Sequence, residues 1–318
     1  MCDVESYIYM PLLEEMGYMP GHKYAFGEEL RGYGEKVAQK YDLHRRAMFQ
    51  SKVTNMAWNS SRQQWTAKIE QRPKAGPAKD IEIHVNFTIL ATGLFPNPKL
   101  PDVKGIESFE GEMLHTARWN YGITGGSSAS PEMTKLRSKR VAIIGTGATS
   151  IQAVPQLAKW AKELLVFQRT PSAVDERGNR ETDPVTWKDE IANEPGWQRL
   201  RNTNYFKFLN NADEKPDVDL VCDGWTKAPA YSALIGGSSY EVTPENVGDH
   251  VRRMQELDYP RSERVRQRAL KIVEDPQVAT KLQAWYATWC KRPCVSALHN
   301  DQRRVEPSTD LARKTVPR

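Results

Sequence analysis

The segment KRVAIIGTGATSIQAVPQLAKWAKELLVFQRTPS, residues 139–172, constrains the fold more than any other part of the sequence. Residues 141–144 are a short apolar run, which predicts a buried strand. A helix is predicted over about residues 149–161, with Pro155 disturbing its start, and residues 164–167 predict a second buried strand. Two strands joined by a helix within about 30 residues form a βαβ unit, so the sequence predicts a parallel sheet.

The turn GTGATS between the first strand and the helix has the spacing GxGxx[G/A], with Ser150 in the third small position. Gly145 and Gly147 permit a tight turn and a close approach of the backbone to a pyrophosphate, which the free N–H groups of the helix N-terminus then bind. The alternative is a glycine turn kept for packing. The predicted nucleotide-binding residues here are Gly145, Thr146, Gly147, Ala148, Thr149, Ser150 and Ile151.

The residues after the second strand distinguish between the two nicotinamide dinucleotides. An acidic residue at this position binds the ribose 2′-OH of NAD, whereas an arginine suits the 2′-phosphate of NADP. This chain has Gln168, Arg169 and Thr170 there. We therefore expect Arg169 and Thr170 to bind NADP, with a surface arginine at a strand end as the alternative.

The rest of the chain divides by its periodicity. A helical pattern is predicted over residues 28–41, and a polar stretch with weak periodicity over residues 172–243 is interpreted as a long insertion. Helical periodicity returns after Pro244, and residues 296–318 are unpatterned. Period-two alternation predicts an antiparallel meander whose last strand runs to the sequence ATG at residues 91–93, and its three strands are SKVTNMAW, QQWTAKIEQ and IEIHVNFTIL.

Composition excludes several classes of protein. The 45 basic and 40 acidic residues give a net charge of +5, and acidic residues interrupt the basic run HVRRMQELDYPRSERVRQRALK, so a solvated helix is favoured over a nucleic-acid site. No apolar run approaches the roughly 20 residues of a membrane span. Four scattered cysteines predict neither disulfides nor zinc, and they favour a reducing, cytoplasmic location.

The segment FEGEMLHTARW, followed by GTGATS, resembles a family fingerprint. Phe109, Gly111, His115 and Trp119 match the pattern FxGxxxHxxxW of Baeyer–Villiger monooxygenases, which are class B flavin-dependent monooxygenases. Asn120 departs from the residue that many members have after the tryptophan. The resemblance also covers CDVESYIYMPLLEE, ILATGLFPNPKLPDVKGI, VFQRTPS and WYATWCKRPC, and thus extends to about residue 294.

The resemblance implies an enzyme that uses FAD, NADPH and O2 to insert oxygen next to the carbonyl of a small-molecule ketone, giving an ester or a lactone, in secondary metabolism. It implies an α/β fold: a Rossmann-type NADP-binding domain and a partial FAD-binding domain that contains the meander. The predicted regions are the partial FAD-binding domain at 1–107, an interdomain linker at 108–122, the NADP-binding domain at 123–295 and a tail at 296–318. The resemblance leaves the oligomeric state open.

The resemblance also implies residue roles. His115 would influence domain movement, although a purely structural histidine is the alternative. Arg292 would stabilise the negatively charged flavin peroxide, and Lys291 would help bind the 2′-phosphate. Asp3 would lie near the flavin ring and the catalytic arginine. The implied flavin-lining residues are Cys2, Asp3, Val4 and Tyr9, and the implied catalytic residues are Arg292, Asp3 and His115.

The sequence also departs from the family pattern near its two ends. Residues 1–93 contain no second GxGxxG and the resemblance stops after Cys294, so we expect a chain truncated at both ends that binds FAD weakly by itself. One alternative is therefore an inactive NADP-binding remnant or an interaction protein. A second alternative is an N- or S-oxidising flavin monooxygenase, against which Trp119 and the pair Lys291 and Arg292 argue.

Overall fold

The computed structural model describes most of the chain. For the last three described residues, it describes the backbone alone. The described residues are 4–93, 97–210, 212, 214–228, 240–286 and 294–296. They divide into two compact units, one made of Met1–Gly32 with Asn120–Arg318 and the other of Tyr33–Trp119. The predicted domain boundaries stay a prediction.

Helices make up much of the described chain. They are α1 (Ser6–Tyr9), α2 (Leu13–Met16), α3 (Gly27–Lys40), α4 (Leu43–Arg46), α5 (Tyr121–Thr124), α6 (Ala148–Trp160), α7 (Pro184–Thr186), α8 (Trp197–Leu209), α9 (Val247–Ile272) and α10 (Pro276–Lys281). A π-helical turn, Trp187–Ile191, follows α7 directly. Among the described helices, none combines the length and the apolar character needed to cross a bilayer.

The unit Tyr33–Trp119 contains the predicted antiparallel meander. Its sheet has the order β1-β2-β3, with antiparallel pairing throughout. The central strand is the most protected, and Ala67 and Ile69 on it are buried. The strands are β1 (Ser51–Asn59), β2 (Gln64–Gln71) and β3 (Lys79–Val85).

The third strand is shorter than predicted. β3 ends at Val85, and residues 87–93 have no regular secondary structure, so the prediction that a strand runs to residues 91–93 is wrong. Phe87 is 88% exposed and Ile89 is 93% exposed. Strand propensity mainly reflects packing against neighbouring strands and a core, and no described element covers these two side chains.

The βαβ unit agrees with the prediction. β4 (Arg140–Ile144) and β5 (Glu163–Phe167) pair in parallel, and α6 connects them. The expected disturbance at the start of the helix is wrong, because α6 begins at Ala148 and Pro155 lies in its interior. A proline lacks the N–H that would bond one turn earlier, and its ring crowds the carbonyl there, so its effect falls in mid-helix, away from the glycine-rich turn.

The polar region 172–243 supplies much of the core of the larger unit, a role its weak periodicity did not indicate. Tyr205, Val221 and Trp225 from this region pack with Ile8 of α1 in one buried cluster. The region also contains β6 (Val174–Glu176), which pairs in parallel with β7 (Cys294–Ser296). Helix α9 follows, and Met254 and Val265 lie on its buried stripe. The N-terminal segment is thus held by residues about 200 positions away.

Candidate nucleotide-binding site

The glycine-rich turn joins β4 to α6 and has the geometry that its sequence predicts. Gly145 has a φ of +97°, a conformation that side-chain-bearing residues rarely adopt, and its N–H donates to the carbonyl of Phe167 over 2.8 Å. Gly147 is the N-cap of α6, and no side chain caps the helix there. The first N–H groups of α6 are therefore available to an anion.

The space around Gly147 is open enough for a ligand to approach this turn. Its φ of −76° is open to any residue, and a Cβ placed on it would meet no protein atom within 4 Å. Neither backbone strain nor packing against the described residues explains a glycine there. Close approach of a ligand to the helix N-terminus would account for it, as would the preference of helix N-caps for glycine over alanine.

The other predicted residues of this turn divide between ligand-facing and packing positions. Ala148 and Thr149 are exposed in the first turn of α6, and Ile151 is half-buried. Ser150 is only 8% exposed. A small residue at this third position allows the helix to pack closely on the sheet.

Thr146 ties the glycine-rich turn to the segment after β5. Its hydroxyl donates to the carbonyl of Thr170 over 3.3 Å, and the hydroxyl of Ser172 donates to the carbonyl of Thr146. Ser172 is buried. Sequence reasoning missed Ser172, because the fingerprint ends before it and only the fold brings it to the turn.

Arg169 is the residue that we expect to bind the 2′-phosphate of NADP. It is exposed, the chain bends at it, and it makes no ion pair with the residues that the structure describes. The preceding residue is fixed, since the side-chain amide of Gln168 donates to the carbonyl of Lys281 at the end of α10 over 3.2 Å. A free guanidinium beside a fixed strand end can bind a phosphate.

The N-terminal segment is anchored by a buried ion pair that the sequence did not predict. The two carboxylate oxygens of Glu5 accept from the guanidinium of Arg201 over 2.6 and 2.9 Å. The ammonium of Lys23 lies 3.6 Å from the same carboxylate. Glu5 is 1% exposed, so these partners stabilise a charge that water does not reach.

Of the predicted flavin-lining residues, only Val4 and Tyr9 are described. Val4 packs partly against the buried cluster around Ile8. Tyr9 is 57% exposed. These two side chains alone do not form a cradle for FAD. Cys2 and Asp3 lie outside the described residues, as do Lys291 and Arg292 near the other end of the chain.

A buried tyrosine lies close to the anchored segment. The hydroxyl of Tyr24 donates to a carboxylate oxygen of Asp223 over 3.1 Å. Burial, together with the negative charge of Asp223, raises the pKa of Tyr24 far above its usual value. Tyr24 therefore stays protonated and remains a hydrogen-bond donor.

Two local contacts involve the fixed residues of the motif FEGEMLHTARW. A Cβ on Gly111 would lie 2.5 Å from the ring of Phe109, so any larger residue there would require that exposed ring to shift. The Nδ1 atom of His115 accepts from the backbone N–H of Ala117 over 3.1 Å and caps the turn Thr116–Arg118. In the neutral ring Nε2 then carries the proton. His115 and Trp119 are both half-buried.

Two further features lie outside this candidate site. A cavity of about 670 Å³ lies between the α1–α2 region and α8, and Ile8, Leu12 and Phe206 line it together with polar side chains. It includes none of the predicted site residues. Among the described residues, no group of three His, Cys, Asp or Glu side chains could hold a metal ion.

Together, the parallel strands, the open glycine turn and the uncapped helix define a dinucleotide-binding fold of the Rossmann type. A family model described as flavin-binding monooxygenase-like matches residues 7–187, which include this unit. The chain belongs to this family.

Curated relatives and solved structures agree with this assignment. The chain is 48% identical over 299 residues to a polycyclic ketone monooxygenase from Thermothelomyces thermophilus, and the match covers 93% of this chain and 46% of the relative. The solved structure of a polycyclic ketone monooxygenase from that fungus matches with a TM-score of 0.87, 48% identity and coverage of 93% of this chain and 47% of that one.

A more distant structure has the same fold. An oxidised steroid monooxygenase bound to NADP matches with a TM-score of 0.65 and 25% identity, covering 93% of this chain and 53% of that one. The chain thus spans about half the length of the relatives and structures that it matches.

Proposed function

We propose that this chain carries the NADP-binding part of an FAD- and NADPH-dependent monooxygenase of the Baeyer–Villiger type. The observation that carries the proposal is Gly147, where glycine is needed neither for the backbone nor for packing against the described residues, at an uncapped helix N-terminus. Gly145 and Gly147 would admit the pyrophosphate, and Arg169 and Thr170 would bind the ribose phosphate.

The proposed reaction follows from the family and from the names of the relatives. It inserts one atom of O2 beside the carbonyl of a ketone, with the hydride supplied by NADPH and the oxygen-activating ring by FAD. The relative named a polycyclic ketone monooxygenase supports a ketone substrate over an N- or S-oxidised one. A role in secondary metabolism and a cytoplasmic location, the latter from the scattered cysteines, belong to the same proposal.

Residue roles outside the nucleotide turn also remain proposals. Lys291 would add to the 2′-phosphate site, while Arg292 and Asp3 would act next to the flavin. His115 would influence domain movement through its Nε2–H, since its Nδ1 accepts from the N–H of Ala117. The region 172–243 would help to form the substrate pocket, and the cavity beside α8 is its described candidate.

A binding titration tests the cofactor assignment without requiring catalysis. NADPH should bind the purified 318-residue chain more tightly than NADH. Arg169→Ala should remove that preference, because a charge-assisted contact contributes about 1.5–3 kcal/mol. Equal affinity of the unaltered chain for the two nucleotides would contradict the NADP assignment.

An absorbance spectrum separates the oxygenase proposal from its main alternative, an NADP-binding protein without oxygenase activity. A longer chain that includes the flanking regions of the relatives should retain FAD and consume NADPH when a ketone is present. Failure to retain FAD in that longer chain would favour the alternative.

A further inference from the structure

The C-terminal end of α10 lies beside the strand end that carries Arg169. The side-chain amide of Gln168 donates to the carbonyl of Lys281 over 3.2 Å, and Lys281 is the last residue of α10. Arg169 follows Gln168 directly. The fold therefore brings a lysine 112 positions later in the sequence (281 − 169) next to the predicted phosphate site.

This end of α10 is firmly held. Ala279 is completely buried and Ala284 is 5% exposed, so the segment packs on both sides of Lys281. A guanidinium N–H of Arg266 in α9 donates to the carbonyl of Ala284 over 3.2 Å. With the bond from Gln168, the backbone at Lys281 is fixed from two directions, while the Lys281 side chain is exposed.

The local charges favour a cation at this position when a phosphate binds. The last carbonyl groups of a helix carry partial negative charge, which would repel a 2′-phosphate at the end of β5. The ammonium of Lys281 offsets that charge. Neither Lys281 nor Arg169 makes an ion pair with the residues that the structure describes, so neither cation is already neutralised there.

We propose that Lys281 is a further specificity-determining residue for NADP, and that it and Arg169 flank the 2′-phosphate from β5 and α10. This inference rests on the proposed NADP site. The arginine gives a planar, directional contact, whereas the lysine gives a point charge on a flexible stem. The pair would recognise a phosphate dianion and would leave the 2′-OH of NAD with no matched partner.

Lys281→Met tests this inference, since methionine keeps most of the stem and removes the charge. NADPH affinity should fall about three- to tenfold, the effect of one partly solvated ion pair to a dianion, while NADH affinity stays the same. The fall in NADPH affinity on adding salt should also become less steep. Lys281→Arg should preserve the preference.

Lys162→Met is the matched control. Lys162 is an exposed lysine just before β5, at the opposite end of the strand, about 20 Å from Gln168 at the strand rise per residue. Its loss changes the net charge equally and should leave both affinities unchanged. A similar fall in Lys162→Met would mean a general charge effect and would overturn the inference.

The outcomes separate this inference from the function it rests on. If Arg169→Ala loses the NADPH preference and Lys281→Met keeps it, the NADP site stands and the role of Lys281 is wrong. If the unaltered chain shows no preference for NADPH, the proposed NADP site fails and the inference fails with it. Circular dichroism spectra that match the unaltered chain would establish that each variant is folded.

Discussion

A substitution at Gly147 allows an effect on ligand binding to be distinguished from an effect on folding. Alanine can adopt its φ of −76°, and the added methyl group would meet no protein atom within 4 Å. For Gly147→Ala we expect an unfolding free energy within about 1 kcal/mol of the unaltered chain, because the lost freedom of the unfolded chain is offset by the poorer N-capping of alanine. NADPH affinity should nevertheless fall, since the methyl group occupies the space of the pyrophosphate. Denaturation curves and nucleotide titrations measure the two effects.

Gly145→Ala is the comparison for that prediction. At a φ of +97° the alanine is strained, so this variant should lose about 1–2 kcal/mol of stability whether or not nucleotide is present. A Gly147→Ala chain that bound NADPH as well as the unaltered chain would contradict the assignment of the turn to a pyrophosphate.

The strand β6 connects the nucleotide turn to α9. Ser172, whose hydroxyl bonds the turn, lies just before this strand. Within β6, Asp175 accepts from Arg264 of α9 over 2.9 Å, and the carbonyl of Val174 accepts from Arg268 over 3.1 Å. Burial raises the pKa of Asp175, but the hydrogen bonds and charge of Arg264 outweigh it, so that pKa lies below its usual value.

A carboxylate with a lowered pKa stabilises the fold above its unfolded pKa, about 3.9, and the contribution disappears as the pH falls through the folded value. Asp175→Asn should therefore cost about 1 kcal/mol near pH 7, a figure kept small because the Arg264 side chain is 59% exposed. The difference in stability between Asp175→Asn and the unaltered chain should shrink below about pH 4.

Asp249→Asn, which breaks an exposed pair with Arg252, is the control and should change the stability little at any pH. Denaturation at several pH values measures this, and a difference that does not depend on pH would exclude the ion pair as its source.

The elements that the sequence predicts well are those governed by local pattern. The βαβ unit and the meander follow from apolar runs, period-two alternation and turn residues, and the structure has both. Helix α3 also agrees, since Tyr33 is buried and Leu30 and Val37 are half-buried on the predicted face. Each of these patterns is complete within about 30 residues, so no distant partner is needed to read it.

The features that the sequence did not predict depend on distant partners. Glu5 and Arg201 are 196 positions apart, and no sequence pattern around either residue predicts that they pair. Residues 87–93 have the composition of a strand but no described strand beside them. The region 172–243 is polar on average, yet aromatic side chains within it, such as Tyr205 and Trp225, pack with Ile8. The average composition of this region therefore does not predict that it contributes to a core.

At the scale of the whole molecule, the pair of Glu5 and Arg201 holds the N-terminal segment against α8. Arg201→Met should destabilise the larger unit by about 3–5 kcal/mol, because Lys23 is then the one cation that pairs with this buried carboxylate among the described residues. Adding Glu5→Leu should recover part of that loss, since the unpaired carboxylate is removed while Lys23 keeps its hydrogen bond to the carbonyl of Val221. Urea denaturation of both variants measures the recovery. Equal instability of the single and double variants would show that the arginine acts by packing and not by pairing.

The central claim is that the turn between β4 and α6 holds the pyrophosphate of NADPH, and amide hydrogen exchange tests it directly. NADPH added to the chain should slow exchange in peptides that contain residues 145–151 and 168–170, because bound N–H groups exchange only after the ligand leaves. Peptides from the meander, residues 51–85, serve as the internal control and should not change. NADPH binding without protection of residues 145–151 would contradict the claim.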